Sequence, residues 1–126
     1  MTWSFQNDSP IYAQLVNGLT LRIVSGIYTA GDKLPSVRDL AAEAGVNPNT
    51  MQRALTELER VGLMFSQRTA GRFVTEDKTM IEQAKKGLAE EQVNRFLTAM
   101  TSLGYDISGI ISLLKEKEKL SVEEEQ

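Results

Sequence analysis

Residues 36–62 read SVRDLAAEAGVNPNTMQRALTELERVG, and this stretch decides the fold. Ser36 follows Pro35 and offers its hydroxyl to an orphan helix N–H, with Asp39 three positions on as a variant of the capping box. Val37, Leu40, Ala41 and Ala44 form one apolar stripe, and Gly45 stops the helix after about nine residues. After Val46 the pattern restarts at once. Asn47 is a good N-cap, and Pro48 suits the first turn, where no N–H is needed. Met51, Ala54, Leu55, Leu58 and Val61 then fall at i, i+3, i+4 and i+7, and Gly62 ends the segment. Two helices joined by so short a turn make a helix-turn-helix.

Upstream, Ser9 as N-cap and Pro10 as first helical residue open another helix. Ile11, Tyr12, Leu15, Val16, Leu19 and Ile23 give it one apolar face. It ends at Gly26 and a turn around Ala30, Gly31 and Asp32. Trp3 and Phe5 alternate with polar residues before it, as in a short extended arm that packs its aromatics on the body. Downstream the period changes. Leu63–Phe65 and Arg72–Val74 are short runs separated by Thr69, Ala70 and Gly71, which predicts a β-hairpin with Gly71 at a positive φ. Three helices followed by a hairpin form a winged helix-turn-helix.

From Asp77 or Lys78 to Leu103 the chain has no Pro and one Gly, at 87. Its apolar positions predict one helix of about 39 Å at ~1.5 Å per residue. Gly104 caps it, and Asp106 opens a final short helix whose charged tail after Lys115 frays. The fold class is α+β, mainly α. Residues 1–76 form the winged helix-turn-helix domain and residues 77–126 a two-helix dimerisation region.

The chain has 126 residues, no Cys and no His. It therefore lacks a thiol nucleophile, a disulfide and the usual zinc or haem ligands, and no phosphate loop or calcium loop is present. Glu90–Glu91 and Glu123–Glu125 are sequence neighbours that diverge on a helix rather than forming an acid/base pair. No enzyme activity, metal or cofactor is expected. Met1–Pro10 lacks the pattern of a secretory signal, and no apolar run approaches the ~18 residues of a membrane span, so a cytoplasmic protein is expected. The formal charge is −3, which argues against a nucleic-acid partner when taken whole. Its distribution matters more. Residues 1–75 hold seven basic and six acidic side chains; residues 76–126 hold seven and eleven.

With Met51, Ala54, Leu55 and Leu58 buried, the free face of the third helix carries Asn49, Gln52, Arg53 and Thr56. Amides and guanidinium are the groups that read base edges, Asn and Gln on adenine and Arg on guanine. Glu57 and Glu59 lie further along, away from the end that enters the groove. Ser36 and Thr50 sit at helix N-termini that favour phosphate, Arg38 projects opposite the second helix's stripe, and Arg68 and Arg72 flank the wing tip. On an isolated helix such residues would be an ordinary solvated face; the order of elements around them reverses that weighting.

Three segments then carry a resemblance: Pro10–Ile11–Tyr12–Ala13–Gln14, the run from Gly31 to Ala41, and Val46–Asn47–Pro48–Asn49–Thr50. With Gly71–Arg72–Phe73–Val74 closing the domain, the chain resembles the GntR family of bacterial transcription regulators over about 65 residues. The arm and the helices around Leu103–Gly104–Tyr105 look like its small YtrA-like branch, which dimerises through a short helical tail. The resemblance implies DNA contacts at Ser36, Arg38, Asn49, Thr50, Arg53 and the wing. Together with Asn47, Pro48 and Gln52, and with Arg68, Thr69, Gly71 and Arg72 in the wing, these make the candidate DNA site. The family wing usually has Gly in place of Thr69 and a small polar residue in place of Arg72. Two orientations are open to Arg72: toward phosphate, or back along the strand.

Leu88, Val93, Phe96, Leu97, Met100, Ile107, Ile110, Ile111 and Leu114 form the candidate dimer interface. Two helices cannot bury such stripes on both sides, whereas a second copy supplies the missing surface and a two-fold axis. A membrane-surface helix would need a cationic polar face, and this segment is net acidic. The expected function is a dimeric, sequence-specific DNA-binding regulator, a repressor on a pseudo-palindromic operator. A small-molecule effector, where one acts, would bind between copies or between the two parts. The alternative is a winged-helix protein–protein adaptor without a DNA partner.

Overall fold

The computed structural model describes residues 2–125, with side chains described through residue 121. Among the described residues, five helices and one hairpin follow in the order α1 (Ile11–Val24), α2 (Val37–Ala44), α3 (Pro48–Arg60), β1 (Met64–Gln67), β2 (Gly71–Val74), α4 (Lys78–Ser102) and α5 (Ile107–Glu125). The chain divides into two compact units, Met1–Leu88 and Ala89–Gln126. The division falls inside α4, beyond the boundary expected after residue 76. The reason is packing: Met80, Ile81 and Ala84 lie against the core of the first unit.

That core is the winged helix. Leu15, Leu19 and Ile23 from α1 meet Leu40, Ala41 and Ala44 from α2 and Met51, Ala54, Leu55 and Leu58 from α3, closed by Leu34, Leu63, Met64 and Val74. Each fully buried Leu or Met contributes about 1.5–3 kcal/mol, so these contacts dominate the module's stability. Val61, placed by periodicity in the α3 stripe, is instead exposed and forms the C-cap.

The caps of the helix-turn-helix form as the residue types dictate. Ser36 Oγ accepts from the Asp39 N–H at 3.1 Å, and Gly45 closes α2 in the left-handed region. Asn47 Oδ1 accepts from the Asn49 N–H at 2.8 Å at the start of α3. Asn47→Ala is expected to cost about 1 kcal/mol of folding stability, read as a lower denaturant midpoint at unchanged slope.

The start of α1 differs from expectation. Pro10, not Ser9, is the N-cap, and it makes no side-chain cap bond. The amide of Gln14 replaces one: its Nε2 donates to the carbonyls of Gln6 and Ser9, each at 2.8 Å, and its Oε1 accepts from the Gln6 N–H. These bonds hold the arm against α1. Trp3 stacks with Phe5 and lies under the Arg22 guanidinium, 3.6 Å from the ring centroid. A Cβ at Gly18 would stand 2.5 Å from the Trp3 ring, so only glycine admits the arm there.

β1 and β2 pair antiparallel, with Ser66 opposite Arg72 and Gln67 opposite Gly71. Gly71 has φ +107°, as the turn requires, and a side chain there would crowd Lys33. A third segment joins this sheet. Lys33 bridges Phe73, the Leu34 N–H donates to the Arg72 carbonyl at 2.8 Å, and the Val74 N–H donates to the Asp32 carbonyl at 2.9 Å. The sequence reading treated Gly31–Asp32 only as a turn. The pairing it missed ties the start of α2 to the wing.

In the second unit, Asp106 Oδ1 accepts from the Gly109 N–H and opens α5. α5 runs for 19 residues to Glu125 rather than fraying after Lys115. Lys and Glu are strong helix formers, and pairs such as Lys115–Glu118 and Glu116–Lys119 stand at favourable spacing. The side chains of Glu123, Glu124 and Glu125 lie outside the described residues. The chain bends by 111° between α4 and α5.

Candidate nucleic-acid interface

On α2, α3 and their caps, Ser36, Arg38, Asn47, Pro48, Asn49, Gln52 and Arg53 are all exposed, and Thr50 is half-buried. The polar face of α3 arises because Met51, Ala54, Leu55 and Leu58 take the opposite side. Gln52 Nε2 reaches Thr56 Oγ1 at 3.4 Å, one turn along the same face. Arg53 is seated on α1: its guanidinium carbon lies 4.3 Å from the centroid of the Tyr12 ring. A ring beneath a guanidinium limits its rotamers and leaves its N–H edge outward.

Between the N-terminus of α2 and the wing lies an open groove of about 740 Å³. Residues 33–37 form one wall, and Ser66–Arg72 form the other. Arg68 and Thr69 at the wing tip are exposed, and Gly71 lies beside Lys33. The groove brings a helix N-terminus, a lysine and an arginine to one channel, which suits a phosphodiester strand.

Arg72 departs from the phosphate-facing orientation. Its Nε donates to Glu59 Oε1 on α3, and Ser66 Oγ donates to the same oxygen. Ser66 and Arg72 are register partners, so both side chains leave the wing on one face and converge on the carboxylate. Burial raises the pKa of Glu59, but the hydrogen bonds from Ser66 and Arg72 and the Arg72 charge outweigh it and hold the carboxyl below its ordinary value. A group with a depressed folded value stabilises the fold above its unfolded value and loses that contribution as pH falls through the folded value. The stability gap between wild type and Glu59→Gln is therefore expected to shrink as pH is lowered from 7 toward 3. Thermal melts at several pH values measure it; a gap that widens on acidification contradicts the assignment.

Sequence reasoning missed Tyr12, Lys33 and Glu59 as parts of this surface. Tyr12 has the spacing of an apolar helix position, which does not mark it as the support of Arg53. Glu59 was set aside as remote from the groove, and nothing local marks it as the partner of a residue thirteen positions later. Among the described residues no group of three or more His, Cys, Asp or Glu could hold a metal ion, and no single helix is long and apolar enough to cross a membrane.

A polar recognition helix beside a wing and a cationic groove defines a winged helix-turn-helix DNA-binding module. Residues 11–74 match the family described as bacterial regulatory proteins, gntR family. The HTH-type transcriptional regulator YhcF of Bacillus subtilis is 39% identical over 100 residues, covering 79% of this chain and 83% of that protein. The HTH-type transcriptional repressor YtrA of the same organism is 33% identical over 112 residues, covering 88% and 86%. Among solved structures, a GntR family transcriptional regulator from Listeria monocytogenes superposes with a TM-score of 0.80 at 42% identity, covering 89% of this chain and 98% of that one. The AraR DNA-binding domain in complex with operator ORX1 gives 0.54 at 27% identity, covering 60% and 99%. The chain belongs to the GntR family and is a DNA-binding transcriptional regulator.

Proposed function

We propose that the protein is a homodimeric repressor that reads a pseudo-palindromic operator with two copies of α3. The observation that carries the dimer is a set of uncovered apolar side chains in the second unit. Val93, Phe96, Leu103, Ile107, Ile111 and Leu114 are exposed, and none of α4 is buried. Leu88, Leu97 and Met100 are half-buried. Ile110 differs: it is 4% exposed within one chain, so it belongs to the unit's own packing rather than to its free surface. With these side chains uncovered in one copy, a second copy is the partner whose stripes match in length and chemistry.

Asn49, Gln52 and Arg53 would read bases in the major groove. Asn47, Pro48 and Thr50 would set the helix end close to the strand, and Ser36, Arg38, Arg68, Thr69 and Gly71 would hold the backbone. A dimer presents two such surfaces on a two-fold axis, so the operator repeats its half-site inverted. Repression follows from occlusion of a promoter and agrees with the repressor name of YtrA. The chain carries no catalytic role in this reading, and an effector would bind between copies. Its place is the cytoplasm, with its DNA.

Selection of bound sites from random duplex DNA at stated salt tests the reading. Inverted half-sites about one helical turn apart, or a multiple of it, are the expected product. Enrichment of single, unrepeated sites would refute the dimeric mode, and no enrichment would refute specific recognition.

A further inference from the structure

We propose that Glu59 is a specificity-determining residue: it holds Arg72 against α3 and so keeps one wing cation from the DNA backbone. Arg72 lies in the wall of the groove that suits a phosphodiester strand. Its side chain is nevertheless only 16% exposed, because the guanidinium turns inward to Glu59. The Glu59 oxygen that accepts from Arg72 also accepts from Ser66, so the carboxylate joins α3 to both strands of the wing. A phosphate could take Arg72 only by leaving this carboxylate, itself 29% exposed, without its cation. Lys33, Arg38, Arg53 and Arg68 are exposed, and among the described residues none of them forms a salt bridge with a carboxylate.

The consequence concerns sequence-independent affinity. Each phosphate neutralised by a cation steepens the dependence of log K on log salt by about 0.9 and adds affinity on any sequence. A cation already paired within the protein releases no counterion on binding. Arg72 therefore braces the wing without strengthening the hold on random DNA, and base contacts by α3 carry a larger share of the discrimination.

The test is a double-mutant cycle read as the salt slope of full-length protein on a random-sequence duplex. Glu59→Gln keeps an oxygen for Ser66 but frees the Arg72 charge. It is expected to steepen the slope by about 0.9, an additional change of about 3.5-fold between 50 and 200 mM salt. Arg72→Gln is expected to leave the wild-type slope unchanged, and the double variant to return to it. A purely structural brace would alter melting but not this slope. A flatter slope for Arg72→Gln would show that Arg72 already contacts phosphate and overturns the proposal. Equal steepening in Glu59→Gln and the double variant would assign the effect to the carboxylate's own field, and an unchanged slope in Glu59→Gln would show that nothing is withheld. Either also overturns it. If Glu59→Gln failed to fold, the Arg72→Gln slope alone would decide whether Arg72 is withheld.

Discussion

Phe96→Glu or Ile111→Glu is expected to turn the proposed dimer into a monomer and to lower operator affinity by about 10²–10⁴-fold, the avidity of two linked reading heads. Both side chains stand in solvent in a single copy, at 41% and 45% exposure, so a carboxylate there costs the lone chain little. The same charge buried in a two-fold interface would appear twice, once from each copy, and each carboxylate would lose its water. Ile110→Glu is a poorer probe, because Ile110 is already buried within the chain and its loss would disturb α5 itself. Sedimentation velocity gives the mass, and operator binding at fixed salt gives the affinity. Dimers that persist in both variants would remove this face from the interface.

Arg53→Ala is expected to weaken operator binding by about 1–3 kcal/mol, or about 5- to 150-fold, if the guanidinium pairs with a base. Arg53 is exposed on α3 and rests on Tyr12, which reduces the freedom it must lose on binding DNA. Arg53→Lys should recover little, since an ammonium cannot offer two parallel N–H groups to a guanine edge. Tyr12→Leu removes the support and leaves the fork, so a smaller loss is expected, about 0.5–1 kcal/mol for an exposed cation–π contact. Comparing operator with random duplex separates the roles. An equal loss on both would make Arg53 a phosphate contact.

Much of this protein was legible because its signals are local. The caps at Ser36 and Asn47, the stripes of α2 and α3 and the turn at Gly71 depend on residues within a few positions of one another. The two-helix extension after the wing was readable for the same reason. Where the reading failed, a distant group intervened. Pro10 became the cap of α1 because Gln14 satisfies the arm's backbone. Gly31–Leu34 bridges β2 along its free edge, and four residues are too few to show a period. The full length of α5 went unread because charge was taken as fraying, although the same residues favour a helix.

By itself, the sequence determined the order of elements, the polar face of α3 and the family to which the chain belongs. Each follows from spacing along the chain, which hydrophobic burial converts directly into a face. Tertiary structure alone decided which cations stay exposed and which are paired within the protein. The packing of α1 on α3 sets Tyr12 under Arg53, across 41 positions of sequence. The folding of the wing on α3 gives Arg72 to Glu59. Charge pairing acts over a few ångströms of space, and no periodicity along a chain reports which side chains will come that close.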